Sequence, residues 1–194
     1  MRRILDRTYD TALWAAAATF AAIAVLVLAQ ILGRLTDRAA RALDLAPPGL
    51  TIPSLAEFGA FLFVGAVFLG LAGTLQAGAH VRVKLLVRAL PPNAARGLGA
   101  LVCAGAAGLA AFATWSSALQ VADSLRFDTV SYGTIPIPLA LPQGVMTAGL
   151  AIFCVALIDA CATLARGGQA AFDAAERRME TAGPVAVSDD RETD

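Results

Sequence analysis

Between Leu55 and Leu75 the only polar interruptions are Glu57 and Thr74. Wound as a helix at ~1.5 Å per residue, the run is about 31 Å long, which is the hydrocarbon thickness of a bilayer. A backbone in lipid has no water to bond to, so a single segment of this kind must be helical. Three further runs match it: Ala12 to Leu32, broken by Thr19 and Gln30; Gly97 to Leu119; and Gln143 to Ala165, which contains Asp159. Hydrophobic residues make up 58% of the 194 residues and charged ones only 15%, far more apolar surface than a soluble domain of this length needs. The expectation is an all-α integral membrane protein with four transmembrane helices, spanning about 12–33, 54–76, 96–119 and 143–165, within a membrane domain of residues 1–165. Residues 166–194 form a polar tail that ends acidic and partly disordered.

The connections carry the polar information. Arg34 to Thr51 has Leu35, Ala39 and Leu43 at four-residue steps with charges between them. Two readings stay open, a short amphipathic helix on the membrane surface or a continuation of the first span, and Pro47-Pro48-Gly49 ends either one. Ser54 and Glu57 have the spacing of a capping box at the start of the second span. After that span His80, Arg82, Lys84 and Arg88 form a basic loop. His80, Lys84 and Arg88 are one turn apart, a cationic edge for anionic lipid headgroups or for a partner subunit. The stretch with Gly133, Pro136, Pro138 and Pro142 is a structured loop or a short re-entrant approach, not a continuous helix.

Orientation follows from the same charges. With the termini inside, Arg2, Arg3, Arg7, Arg82, Lys84, Arg88, Arg96, Arg166, Arg177 and Arg178 are cytoplasmic, and only Arg34, Arg38, Arg41 and Arg126 are outside. Basic residues concentrate on the cytoplasmic side, so both termini are expected there. A cleaved signal peptide is the rival for the first run, which is longer than an h-region of ~7–15 residues.

No residues converge for catalysis. His80 is the one histidine, and there is no phosphate loop and no nucleic-acid signature. Cys103, Cys154 and Cys161 lie inside apolar runs without metal-ligand spacing, as small buried residues. No catalytic, cofactor or metal residues are expected. The candidates for partner or lipid contact are as follows. Gln30 and Arg34 are one turn apart at the end of the first span. Glu57 is a cap or a partner contact, or else an intramembrane acid that couples to a proton or cation. Ala66, Gly70 and Thr74 are a row of small residues on the second span, facing either this chain's own helices or a partner. His80, Arg82, Lys84 and Arg88 supply the basic loop. Asp159 shares a face with Arg166 for an ion pair or hydrogen bond, with a transport site as the alternative.

These segments resemble the small four-helix DctQ-type subunit of tripartite ATP-independent periplasmic (TRAP) transporters. The resemblance rests on Gln30 with Arg34, on Ser54-Leu55-Ala56-Glu57 with Phe68-Leu69-Gly70, on Gly78 to Val83 leading into Leu90-Pro91-Pro92, and on Ile135 to Pro142. It covers roughly residues 4–165. Lys84 stands where the family often has an acid, and Leu55 where it often has a tryptophan. The resemblance implies a multi-pass protein of the bacterial inner membrane, non-catalytic, that scaffolds a large TRAP membrane subunit. A periplasmic substrate-binding protein would deliver an organic acid, and an ion gradient would drive symport. Outside the resemblance, an autonomous small proton-coupled exporter and an assembly subunit of another membrane complex are the alternatives. Reporter fusions at Leu5 and Ala175 should read cytoplasmic and one at Pro48 periplasmic; a periplasmic signal at either terminus would overturn this topology.

Overall fold

The computed structural model describes residues 2–77 and 91–166. They form four helices: α1 (Arg2–Ala42), α2 (Leu55–Gln76), α3 (Pro92–Arg126) and α4 (Ala140–Ala165). All four are long and apolar enough to cross a membrane. Among the described residues there is no strand, only an isolated antiparallel bridge between Val130 and Pro138. The chain is an all-α membrane protein. The basic loop with His80, Arg82, Lys84 and Arg88, and the acidic tail, lie outside the described residues.

The helices pack in the order α1, α2, α4, α3, with α2 and α4 in the middle and α1 touching α4 only slightly. Small residues set the spacing. A Cβ on Gly149 of α4 would come within 2.5 Å of the Phe68 carbonyl carbon of α2 and 2.9 Å of the Leu69 nitrogen, so only glycine admits this approach of two backbones. Farther up the same interface a Cβ on Gly65 would stand 3.3 Å from Val145. In lipid no hydrophobic drive pulls helices together, so association rests on such close van der Waals contact.

The α1–α2 seam has a 3-4 repeat. Leu5, Tyr9, Ala12, Ala16, Thr19, Ile23 and Leu26 are buried or half-buried, and the repeat continues through Gln30, Gly33 and Asp37. Such spacing keeps one stripe facing a neighbour along a gently supercoiled pair. Gly70 faces Ala16, Gly73 faces Leu13, and the rings of Phe20 and Phe63 meet edge to face at 6.2 Å. On α3 the buried residues Cys103, Ala110, Ser117 and Ser124 are seven apart, and all are small. They meet α4, where Ser117 and Thr147 share a hydroxyl hydrogen bond of 2.6 Å. Lower down, the Cys154 thiol donates to the Ala107 carbonyl at 3.8 Å and the Cys161 thiol to that of Ala100 at 4.0 Å. All three cysteines are free thiols.

Two helices exceed a bilayer. At ~1.5 Å per residue α1 is about 62 Å long and α3 about 53 Å, against a hydrocarbon core of ~30 Å. The first connection is therefore mostly a continuation of the first span, as far as Ala42; no separate surface helix forms. The third span likewise runs on to Arg126, because its seam continues through Ser124 after the strictly apolar run has ended. α4 starts at Ala140 and takes Pro142 into its first turn, where a missing N–H costs nothing.

The α2–α4 contact yields a test. Gly149→Leu should force the central pair apart and destabilise the fold by about 3 kcal/mol or more, the upper range for overpacking. Gly108→Ala, at a site with no neighbour near its Cβ position, should be neutral. Thermal unfolding of both variants in mild detergent measures the difference.

Candidate functional site

Two groups of polar contacts among the described residues lie at the end of the molecule that carries the α1–α2 and α3–α4 connections, here the upper end. One group is a clamp. The Gln30 side-chain oxygen accepts from the Ile52 backbone N–H at 2.8 Å, and Asp37 Oδ1 accepts from the Gly49 N–H at 2.9 Å. Gly33 lies between them, and a Cβ there would collide with the Leu50 carbonyl oxygen. Gln30 and Asp37 are seven residues, or ~10.5 Å, apart along α1, and they accept in reverse order from N–H groups three residues apart on the returning chain. The returning chain is thus laid antiparallel along α1. Gln30 is 8% exposed and Asp37 6%. Arg34, expected to act with Gln30, is exposed and takes no part in the clamp.

A second group joins the loop after α3 to the start of α2. The loop is a short hairpin: the Ser131 N–H donates to the Ile137 carbonyl at 2.9 Å, and the Leu139 N–H to that of Thr129 at 3.0 Å. Ser131 Oγ braces its inside, donating to the Ile135 carbonyl and accepting from the Ile137 N–H. The expected capping box does not form. Ser54 adopts a left-handed conformation (φ 54°) and makes no side-chain cap; its Oγ accepts instead from the Ile135 N–H at 3.3 Å. Glu57 turns the same way, and its carboxylate fills the place where a side chain on Gly133 would begin. The hairpin competes for both side chains, so neither is left for the helix's own N–H groups. Glu57 Oε2 is buried and has no hydrogen-bond partner among the described residues.

The other candidates are dispersed. Ala66 is buried and Gly70 faces Ala16, so this row lies towards α1 of the same chain. Thr74 bonds back to the Gly70 and Leu71 carbonyls of its own helix. Asp159 sits near the lower end of α4, where it and Asp6 are the charged neighbours of Tyr9. Tyr9 is 2% exposed and packs between α2 and α4 with Leu75 and Leu157. Arg166, the expected partner of Asp159, is exposed at the end of α4. No group of three or more His, Cys, Asp or Glu side chains comes together among the described residues.

Sequence reasoning missed Gly33, Asp37, Tyr9, Gly133 and Gly149. For the first three a signal exists: the 3-4 repeat that begins at Leu5 passes through Tyr9 and ends on Gln30, Gly33 and Asp37. A glycine and an acid kept in register with an apolar seam mark a close backbone and a bonded carboxylate.

The family model for the DctQ component of tripartite ATP-independent periplasmic transporters matches residues 23–167, well over half of the chain. The chain belongs to the DctQ family. No curated protein and no solved structure gives a significant match. The match takes in all of α2, the connections, the described part of α3 and α4, and so both upper polar groups of this DctQ component.

A double-mutant cycle tests the second group. Gly133→Ala should cost about 1–3 kcal/mol in the parent chain, because the added methyl must displace Glu57. In a Glu57→Ala background the same change should be nearly free. Equal costs in both backgrounds, read from unfolding curves, would separate the two residues.

Proposed function

We propose that this DctQ protein is the non-catalytic small membrane subunit of an ion-gradient-driven TRAP transporter for organic acids, and that it works by scaffolding the large transport subunit. It would lie in the bacterial inner membrane with both termini cytoplasmic, so that the upper end faces the periplasm and a substrate-binding protein. The observation that carries this reading is the use to which polar groups are put. Gln30 and Asp37 hold the returning chain, and Ser54 holds the hairpin. The Ser117–Thr147 bond joins two helices. A transport site needs polar groups or interrupted helices converging near the middle of the bilayer. Here the four helices run without a break, and their polar contacts tie this chain to itself.

Support of another kind is the surface left over. α1 and α3 bury one stripe each and expose apolar side chains around the rest, among them Trp14, Leu28, Leu109 and Phe112. A subunit built to hold a larger one offers broad faces of this kind, shared between lipid and partner.

Two measurements test the proposal. Affinity purification of this chain in mild detergent should bring down a much larger polytopic membrane protein. Reconstituted alone, the chain should show no ion-driven uptake of organic acids, whereas the complex with its binding protein should. Robust uptake by the lone chain would overturn the scaffold reading.

A further inference from the structure

The apolar runs of the edge helices are not level with one another. On α1 the run from Ala12 to Leu32 has its midpoint at Ala22, and on α3 the run from Gly97 to Leu119 has its midpoint at Gly108. Contacts across the seams set both against α2. Ala16 faces Gly70 and Leu13 faces Gly73, so Ala22 lies level with about Val64. Ala107 meets Cys154, and Gly149 lies beside the Phe68–Leu69 peptide, so Gly108 lies level with about Gly73. From Val64 to Gly73 is nine residues, or ~13.5 Å along the molecule. The apolar band therefore slopes, high on α1 and low on α3, across three helix spacings of ~8–10 Å each.

A molecule standing upright cannot seat both runs in one bilayer. A hydrocarbon core ~30 Å thick, centred between the two midpoints, would take in the exposed Asp10 at its lower edge. It would also leave Ile31 (55% exposed) and Leu32 (53%) above its upper edge. The two tryptophans mark the same offset. Trp14 lies near the lower end of its run and Trp115 near the upper end of its own, and both are exposed. Trp favours the membrane–water interface, so these two belong at opposite faces of the bilayer. Along the molecule they are nearly level. Trp14 adjoins Leu13, which faces Gly73. Trp115 is one half-turn below Ser117, whose partner Thr147 is one half-turn above Gly149, and this sets Trp115 level with about Leu69.

We infer that the molecule crosses the bilayer obliquely, the row of four helices leaning within its own plane by about 25–30°, so that a belt running diagonally across the helices is the surface that meets the hydrocarbon. Membrane helices tilt by up to about 40°, so the lean is an ordinary one. It carries Asp10 and Arg34 out of the hydrocarbon at the two ends of the α1 run and brings Ile31 and Leu32 in. It also sets Trp14 ~10 Å below the bilayer centre and Trp115 ~10 Å above it. Helix register and hydropathy alone require the lean, which is therefore independent of the scaffold role.

The test uses the full chain reconstituted in vesicles whose lipids carry bromine either just below the headgroup or near the end of the acyl chain. Trp14→Phe and Trp115→Phe each leave one tryptophan as reporter, and both positions stand outside the helix seams. Bromine quenches indole fluorescence on contact. In the oblique molecule each remaining tryptophan should be quenched about twofold more by the shallow bromine than by the deep one. In an upright molecule both would lie within ~5 Å of the bilayer centre, and the deep bromine would quench more. Stronger quenching by the deep bromine at either tryptophan, or equal quenching by the two, overturns the lean.

Discussion

The contact between Gly149 and the Phe68–Leu69 peptide brings the backbones of two helices so close that a Cβ has no room between them. α4 and α2 are the central pair, so the position of each edge helix is referred to this approach. A contact between side chains can adjust by rotation; this one cannot, because there is no side chain to rotate. With the central pair fixed, α1 packs on α2 through alanines and glycines, and α3 on α4 through Cys103, Ala110 and Ser117. The result is an open arrangement. It does not close into a bundle around a common axis, and α1 and α3 keep most of their circumference outside.

Much of this was legible in the residues. Four apolar runs of bilayer length define four helices, because lipid leaves the backbone no alternative. That the helix breaks after α3 was legible in Gly133 and three prolines; the hairpin that forms there was not. Helix ends were harder to read. Hydropathy reports where lipid stops, and α1 and α3 run on beyond that point because their packing stripes do. Ser54 and Glu57 show a different limit. Their spacing satisfies the rule for a capping box, yet a hairpin some eighty residues later takes both side chains. Local spacing cannot announce a competitor that arrives through tertiary structure. Tyr9 and Gly149 were invisible for a related reason: their importance depends on what stands opposite, and pairing of α2 with α4 is not written in either helix alone.

The two kinds of polar contact differ in where they sit and in what they can do. Contacts between side chains of different helices are few, and the Ser117–Thr147 bond stands out because hydroxyls satisfy each other at little cost in lipid. Contacts from a side chain to a connection cluster at the upper end. Backbone there has left helical geometry and carries N–H groups that need acceptors. Gln30, Asp37 and Ser54 supply them for Ile52, Gly49 and Ile135. Gln30 and Asp37 lie on α1 and Ser54 immediately before α2, while each donor lies on a connection, so the connections are held against the helices.

That attachment bears on the proposed scaffold role. If a large subunit moves its substrate by shifting one part against another, the other part must be held still. Holding something still in a bilayer requires a body that does not itself bend at its ends. Helices joined by loose loops would tilt independently. Here the α1–α2 connection is bonded back along α1, and the α3–α4 hairpin is seated on the first turn of α2. The upper ends of α1, α2 and α4 are thereby coupled, and α3 joins them through its seam with α4. Two clamps and one glycine contact thus tie the described helices together.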